Sequence, residues 1–195
     1  MARNDNSVNM KKTKDSYHHG DLRAALISEA LKLLEKQDLE HLSLREVARN
    51  VGVSATAVYR HFPAKDDLLK ALADHGLAML GAQQKEAAAK ARGRLAFAQT
   101  GRAYVRFALA NPNLFRLIFA HMPARTKPGA MSPEGLPARL MQDFITMDVG
   151  PKASTEQVFL SALRAWSIVH GLSMLILDEQ VDRKVAEGLI DRVIA

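Results

Sequence analysis

The sequence predicts an all-α protein, and three observations carry that expectation. Apolar residues recur at i, i+3, i+4 and i+7 through most of the chain from residue 17 onward. No run of alternating β-branched residues, the pattern of a half-buried strand, interrupts them. The punctuation is helical as well, with a capping serine, a stop glycine and prolines set between periodic stretches. At 195 residues, about two domains fit the length.

Residues 1–16 have few apolar groups to bury and read as a flexible arm. The first helix is expected to open at Asp21, an N-cap candidate after Gly20, with Leu22, Leu26, Ala30, Leu33 and Leu34 on one face, and to fade near Gln37 and Asp38. The second begins with Ser43 and Glu46, spaced as a capping box in which hydroxyl and carboxylate each satisfy an exposed backbone N–H. Leu44, Val47, Ala48 and Val51 then share a face, and Gly52 stands where a sharp turn needs a left-handed residue. The third helix is capped by Ser54, buries Val58 and Phe62, and stops before Pro63.

A fourth helix starts around Ala64 and Lys65, with Asp66 and Asp67 suited to the positive end of its dipole, and runs toward the alanine-rich "QQKEAAAKA" as a connector between domains. "RLAFAQTGRAYVRFALANP" reads as a long helix ended by Asn111 and Pro112, and "NLFRLIFAHM" as a short one. "PARTKPGAMSPEGLP" holds four prolines and two glycines and reads as a loop. "ARLMQDFITMDV", the very apolar "STEQVFLSALRAWSIVHGLSMLILDEQ" and "DRKVAEGLIDRVIA" complete the helices.

Composition narrows the function. With no cysteine there is no disulfide framework, thiolate metal site or cysteine nucleophile. The N-terminus lacks the apolar core of a signal peptide, and no stretch approaches ~18 uninterrupted apolar residues; a soluble, cytoplasmic protein without membrane partners is expected. Glycine-rich phosphate loops, Gly-x-Ser-x-Gly elbows and His-Glu-x-x-His helices are missing, so no catalytic residue, metal or cofactor is expected. The net charge is +6, but residues 1–80 carry 12 Lys/Arg against 11 Asp/Glu, a difference of +1, so bulk charge does not argue for nucleic acid.

Local geometry does argue for it. Two short helices joined by a tight turn at Gly52, braced by a longer one, form a helix-turn-helix, whose second helix must protrude into a major groove ~12 Å wide. Val47, Ala48, Val53, Val58 and Phe62 are suited to hold that angle. The first turn of that helix, Ser54, Ala55, Thr56 and Ala57, has only short side chains. Ala55 and Ala57 let the backbone approach base edges, while Thr56 offers a methyl to thymine and a hydroxyl to a neighbour.

The stretch "GVSATAVYRHFPAKDDLL", within a match covering about Tyr17 to Met79, resembles the DNA-binding domain of the TetR/AcrR family of transcriptional regulators. The resemblance implies a two-domain, all-α homodimer whose C-terminal helices form both the dimer interface and a pocket for a small-molecule effector. It also implies phosphate contacts by Tyr59 and His61, with Lys65 and Ser43 at helix N-termini as further backbone contacts. Arg45, Arg49 and Arg60 have two readings, a phosphate contact or a solvated arginine. His18 and His19 have two as well, DNA contact from the arm or no role.

The C-terminal "RAWSIVHGLSML", helped by "AYVRFALANPNLFRLIF", resembles the Trp-His-Gly subfamily of the same family. Trp166 and His170 are i, i+4 and share a helix face, as hydrogen-bonded core or facing a ligand, while Gly171 permits close approach of another backbone. From Lys85 to Lys127 nine basic residues stand against Glu86 alone; Arg102 and Arg106 within that run suit either an anionic ligand or a solvated face. With His121, these four give the candidate effector residues Arg102, Arg106, His121, Trp166 and His170.

The expectation is a ligand-responsive regulator, a repressor, that binds a palindromic double-stranded operator as a homodimer. Its divisions are an arm at 1–16, a DNA-binding domain at 17–79 and a ligand-binding and dimerisation domain at 80–195, with the fourth helix as the only route of coupling. Two rivals come from other classes: a small-molecule binder or enzyme with a vestigial DNA-binding domain, and a nonspecific architectural DNA-binding protein. Sequence preference in DNA binding separates all three.

Overall fold

The computed structural model describes residues 19–121, 150 and 152–194, and these form eight helices with no strand among them. In chain order they are α1 His19–Leu34, α2 Leu44–Val51, α3 Ala55–His61, α4 Lys65–Ala89, α5 Gly93–Ala110, α6 Pro112–His121, α7 Thr155–Leu177 and α8 Arg183–Val193. The expected arm at 1–16, the loop at 123–137 and the helix over 138–149 lie outside the described residues.

Local signals set most boundaries. Ser43 caps α2, its Oγ accepting from the Glu46 N–H at 3.2 Å. The other half of the expected box is not made, because the Glu46 carboxylate accepts instead from Gln37 Nε2 at 3.0 Å and pairs with Arg49 at 3.5 Å. Gly52 ends α2 at φ +80°, where a side chain would strain the backbone. Ser54 caps α3, accepting from the Ala57 N–H at 3.2 Å. Asp67 accepts from the Ala64 N–H at 2.9 Å and so satisfies a donor at the start of α4. Helix α1 is already formed at His19, which puts Asp21 inside its first turn rather than ahead of it.

Packing makes one continuous core rather than two. Leu26, Ala30, Val47, Val58 and Phe62 bind α1, α2 and α3 together, and Leu68 and Leu72 of α4 extend the same cluster to Phe107, Phe115 and Ile118. Leu33, expected on the buried face of α1, is only half-buried. Burial at about 25 cal/mol per Å² of apolar surface is the dominant gain in such a core. Where α4 crosses α6 the helices nearly touch: a Cβ on Gly76 would lie 2.8 Å from Leu114 Cδ1 and 3.0 Å from Ile118 Cδ1.

Helix α6 grips the N-terminal helices at both its ends. Asn113 Nδ2 donates to the Leu34 and Gln37 carbonyls at 3.1 Å each, closing the C-terminal end of α1. His121 Nε2 lies 3.2 Å from Asp66 Oδ1 at the start of α4. The expectation that α4 alone couples the two halves is therefore corrected: α6 is a second connection, formed by residues 76 or more positions away from the carbonyls Asn113 holds. Asn113→Ala is expected to cost ~1–3 kcal/mol for two lost hydrogen bonds and to speed amide exchange over residues 35–42. Unchanged exchange there would dismiss the clamp.

Candidate functional site

The first candidate surface is the exposed side of α2 and α3. Ser43, Arg45, Ser54, Ala55, Thr56, Tyr59 and Arg60 are all exposed there, and His61 is half-buried. Tyr59 keeps 44% of its surface open. Ala57 departs from expectation. It is half-buried and packs on the core, because one turn from Ser54 the helix already faces inward, so the slim reading edge consists of Ala55 and Thr56.

Lys65 also departs from a plain phosphate contact. Its Nζ donates to the Leu39 carbonyl at 3.0 Å and the Glu40 carbonyl at 3.1 Å, so two of its three donors tie α4 to the α1–α2 connection. His18 and the side chain of His19 lie outside the described residues.

Arg102 and Arg106, the pair on α5 read as suiting an anion or a solvated face, both hold partners within the chain. Arg102 Nε donates to the Ile194 carbonyl at 3.1 Å and pairs with Asp191 at 3.2 Å, and its side chain is only 16% exposed. Arg106 pairs with Glu187 at 3.2 Å and Asp191 at 3.5 Å. Four residues apart on α8, these acids match the i, i+4 arginines and pair with them, so the two arginines fasten α8 to α5. His121 likewise has partners within the chain, Asp66 and the Leu117 carbonyl.

Trp166 and His170 are brought together as expected, 5.6 Å apart between ring centroids. The residue that joins them, Tyr104, was not singled out in the sequence. Trp166 Nε1 donates to Tyr104 Oη at 3.2 Å, and that oxygen lies 3.0 Å from His170 Nδ1. Phe119 meets the His170 ring edge to face at 4.7 Å, and Phe115 lies 5.7 Å from it. Spacing on α5 and α6 marked these residues only as apolar, so the signal available was an aromatic cluster without a visible partner. At Gly171 the space a Cβ would take is open: among the described residues nothing beyond its own helix backbone and chain neighbours comes within 4 Å of it.

Burial governs the protonation of the cluster. It raises the Tyr104 phenol well above its usual range despite the hydrogen bond from Trp166, so Tyr104 stays protonated. It lowers His170 below 6.5 by penalising the imidazolium. The folded protein thus holds His170 neutral, while the unfolded chain takes up its proton near 6.5. This contribution is fully present above that value and is lost as pH falls through it. Between neutral and about pH 5 the midpoint of thermal unfolding should fall further for the natural chain than for His170→Gln; parallel curves would refute it.

One buried side-chain atom among the described residues lacks a hydrogen-bond partner, Gln84 Oε1 on α4. Its Nε2 donates to the Thr100 carbonyl at 3.3 Å. The face of α7 turned away from the core carries exposed Leu160, Leu163, Ile168 and Leu175, with Arg164 and Ser167 among them. By length and composition, the segment Glu156–Leu177 is one that could cross a membrane.

Comparison with known proteins follows the same division. Residues 26–72 match the family model described as "Bacterial regulatory proteins, tetR family". Residues 97–195 match "Tetracyclin repressor-like, C-terminal domain", and that match, rather than the Trp-His-Gly signature, identifies the C-terminal half. A protein of unknown function from Rhodococcus sp. RHA1 is 32% identical with a TM-score of 0.70, covering 93% of this chain and 97% of that one. TetR from Acinetobacter baumannii AYE is 18% identical with a TM-score of 0.61, covering 88% and 93%. A possible TetR family transcriptional regulator from Streptomyces coelicolor A3(2) is 21% identical with a TM-score of 0.58, covering 89% of each chain.

Proposed function

Because this chain belongs to the TetR family of bacterial regulatory proteins, we propose that it is a cytoplasmic, homodimeric transcriptional repressor that binds a palindromic operator and is released or rearranged by a small-molecule effector. The observation that carries this reading is the α2–Gly52–α3 unit, which presents Ala55 and Thr56 on a slim exposed edge with Tyr59 and Arg60 beside it.

The roles divide by reach. Ala55 and Thr56 meet base edges, and Tyr59, His61, Arg45 and Arg60 hold phosphates along both flanks. Ser43 and Ser54 spend their hydroxyls on their own helices and leave the remaining N–H groups of those helix ends to phosphate. Lys65 has one donor left for the backbone after bracing the α1–α2 connection. Such modest direct readout leaves part of the specificity to DNA shape and half-site spacing.

Residues 17–79 serve as the operator-binding domain and 80–195 as the effector and dimerisation domain. A second copy covers the apolar face of α7, and the open space at Gly171 lets the two helices approach closely. That also gives the apolar length of this helix a use other than a membrane. A variant of the Acinetobacter protein is known in complex with minocycline, which supports a small-molecule role for this fold. Effector binding near Tyr104 reaches α1 and α4 through α6, whose ends hold Leu34, Gln37 and Asp66.

Footprinting on DNA upstream of the protein's own gene tests the reading. Protection of a palindrome, with a preference over random DNA of ~10³ or more, is expected. Binding without sequence preference at every salt concentration would end it. In the same assay Thr56→Ala should change the preferred base at one position per half-site by ~1–3 kcal/mol.

A further inference from the structure

We propose that the cluster of Tyr104, Phe119, Trp166 and His170 receives the effector, and that the effector is an uncharged, flat, largely apolar molecule held through a carbonyl or ether oxygen by His170 Nε2–H. This rests on the effector-responsive reading above and adds the chemistry of the ligand.

The hydrogen bonds within the cluster dictate where the protons lie. Indole N–H only donates, so Trp166 uses one lone pair of Tyr104 Oη. A buried phenol keeps its proton, and the other polar neighbour of that oxygen is His170 Nδ1 at 3.0 Å. Tyr104 therefore donates to Nδ1, and a neutral imidazole that accepts at Nδ1 carries its own proton at Nε2. Among the described residues that N–H has no hydrogen-bond partner. It is a fixed donor set among aromatic rings, with Trp166 above it still 37% exposed.

The walls define the rest of the ligand. Phe119 and Trp166 pack against the His170 ring at 4.7 and 5.6 Å, and the part of the Trp166 ring left open offers an aromatic surface to an aromatic or conjugated skeleton. An anion would lose its hydration, and among the described residues the arginines of the adjoining helix, Arg102 and Arg106, are already paired with Asp191 and Glu187. A cation would gain from the rings but meet the positive end of the Nε2–H dipole. One turn before Tyr104 on the same face of α5, the Thr100 carbonyl holds Gln84, whose buried Oε1 is a second polar atom still open to a donor.

The test uses four naphthalenes of one shape that differ in head group: 2-acetonaphthone, 2-isopropylnaphthalene, 2-naphthoate and 2-(aminomethyl)naphthalene. Equilibrium dialysis against the full chain at neutral pH should rank the ketone first, about fivefold tighter than the hydrocarbon, the ratio that one net hydrogen bond of ~1 kcal/mol gives. Both ions should bind more weakly than the hydrocarbon. His170→Phe keeps an aromatic wall and removes the donor, so the ketone should fall to the hydrocarbon's affinity while the hydrocarbon holds. Tyr104→Phe, which frees the imidazole tautomer, should reduce the ketone's advantage without abolishing hydrocarbon binding, and it serves where His170→Phe does not fold.

A ketone no better than the hydrocarbon, an ion that binds tightest, a preference that survives in the variants, or no binding by any of the four would overturn the proposal. Operator binding by the same preparations separates the two failures. A chain that protects its palindrome but shows no ketone preference refutes only the effector chemistry, whereas loss of sequence preference on DNA refutes the regulator reading.

Discussion

Phe62→Ala is expected to destabilise the protein by ~3–5 kcal/mol, the range for truncating a buried aromatic residue, and to abolish operator binding at growth temperature. Phe62 is among the largest side chains with almost no exposed surface, and it follows the last residue of α3. Its ring is buried beside α1, with the Arg23 guanidinium 5.3 Å from its centroid. Removing it leaves a cavity at the joint that sets the angle of the reading helix. Since total stabilities are typically ~5–15 kcal/mol, that loss is a large share. Urea unfolding measures it, and a change under about 1 kcal/mol would show that the joint does not depend on this ring.

Ile168→Asp should have the largest effect on function with the least on the folded chain. Ile168 keeps 49% of its surface exposed, so a single copy tolerates a carboxylate there. Between two copies of α7 the same carboxylate would be buried without a partner, which is strongly unfavourable. Sedimentation should show a monomer with an unchanged melting point in dilute solution. Operator affinity should fall by ~10²–10⁴, the advantage of two linked half-site contacts over one. A variant that remains dimeric would move the interface off this face.

The reading unit was legible in the sequence because its determinants are local. Ser43, Gly52, Ser54 and Pro63 act on backbone within a few residues of themselves, and their spacing is visible in a single line of letters. Charged and polar groups with distant partners were not legible. Arg102 finds its carbonyl 92 residues away, Asn113 reaches back 76 and 79, and Lys65 reaches back 25 and 26. A free cation and a cation committed to a distant carboxylate look the same until the chain is folded. For that reason the partners that Arg102, Arg106 and His121 hold at helix junctions are not visible in the sequence.

Tyr104 illustrates the converse. It stands in a stretch read only as helix, and its role depends on Trp166 and His170 meeting the same oxygen from a helix more than 60 residues later. The i, i+4 relation of those two was readable, and the atom between them was not.

Trp166 is the only tryptophan in the chain. It stands where the aromatic cluster borders the exposed face of α7, with its indole N–H on Tyr104 and over a third of its surface open. The molecule thus contains its own optical reporter. Ultraviolet emission excited selectively in that indole records a single position, with no second indole to dilute it. Docking of another copy should shift the band to shorter wavelength, and a conjugated compound beside the ring should quench it, so assembly and occupancy become distinguishable in one unlabelled cuvette.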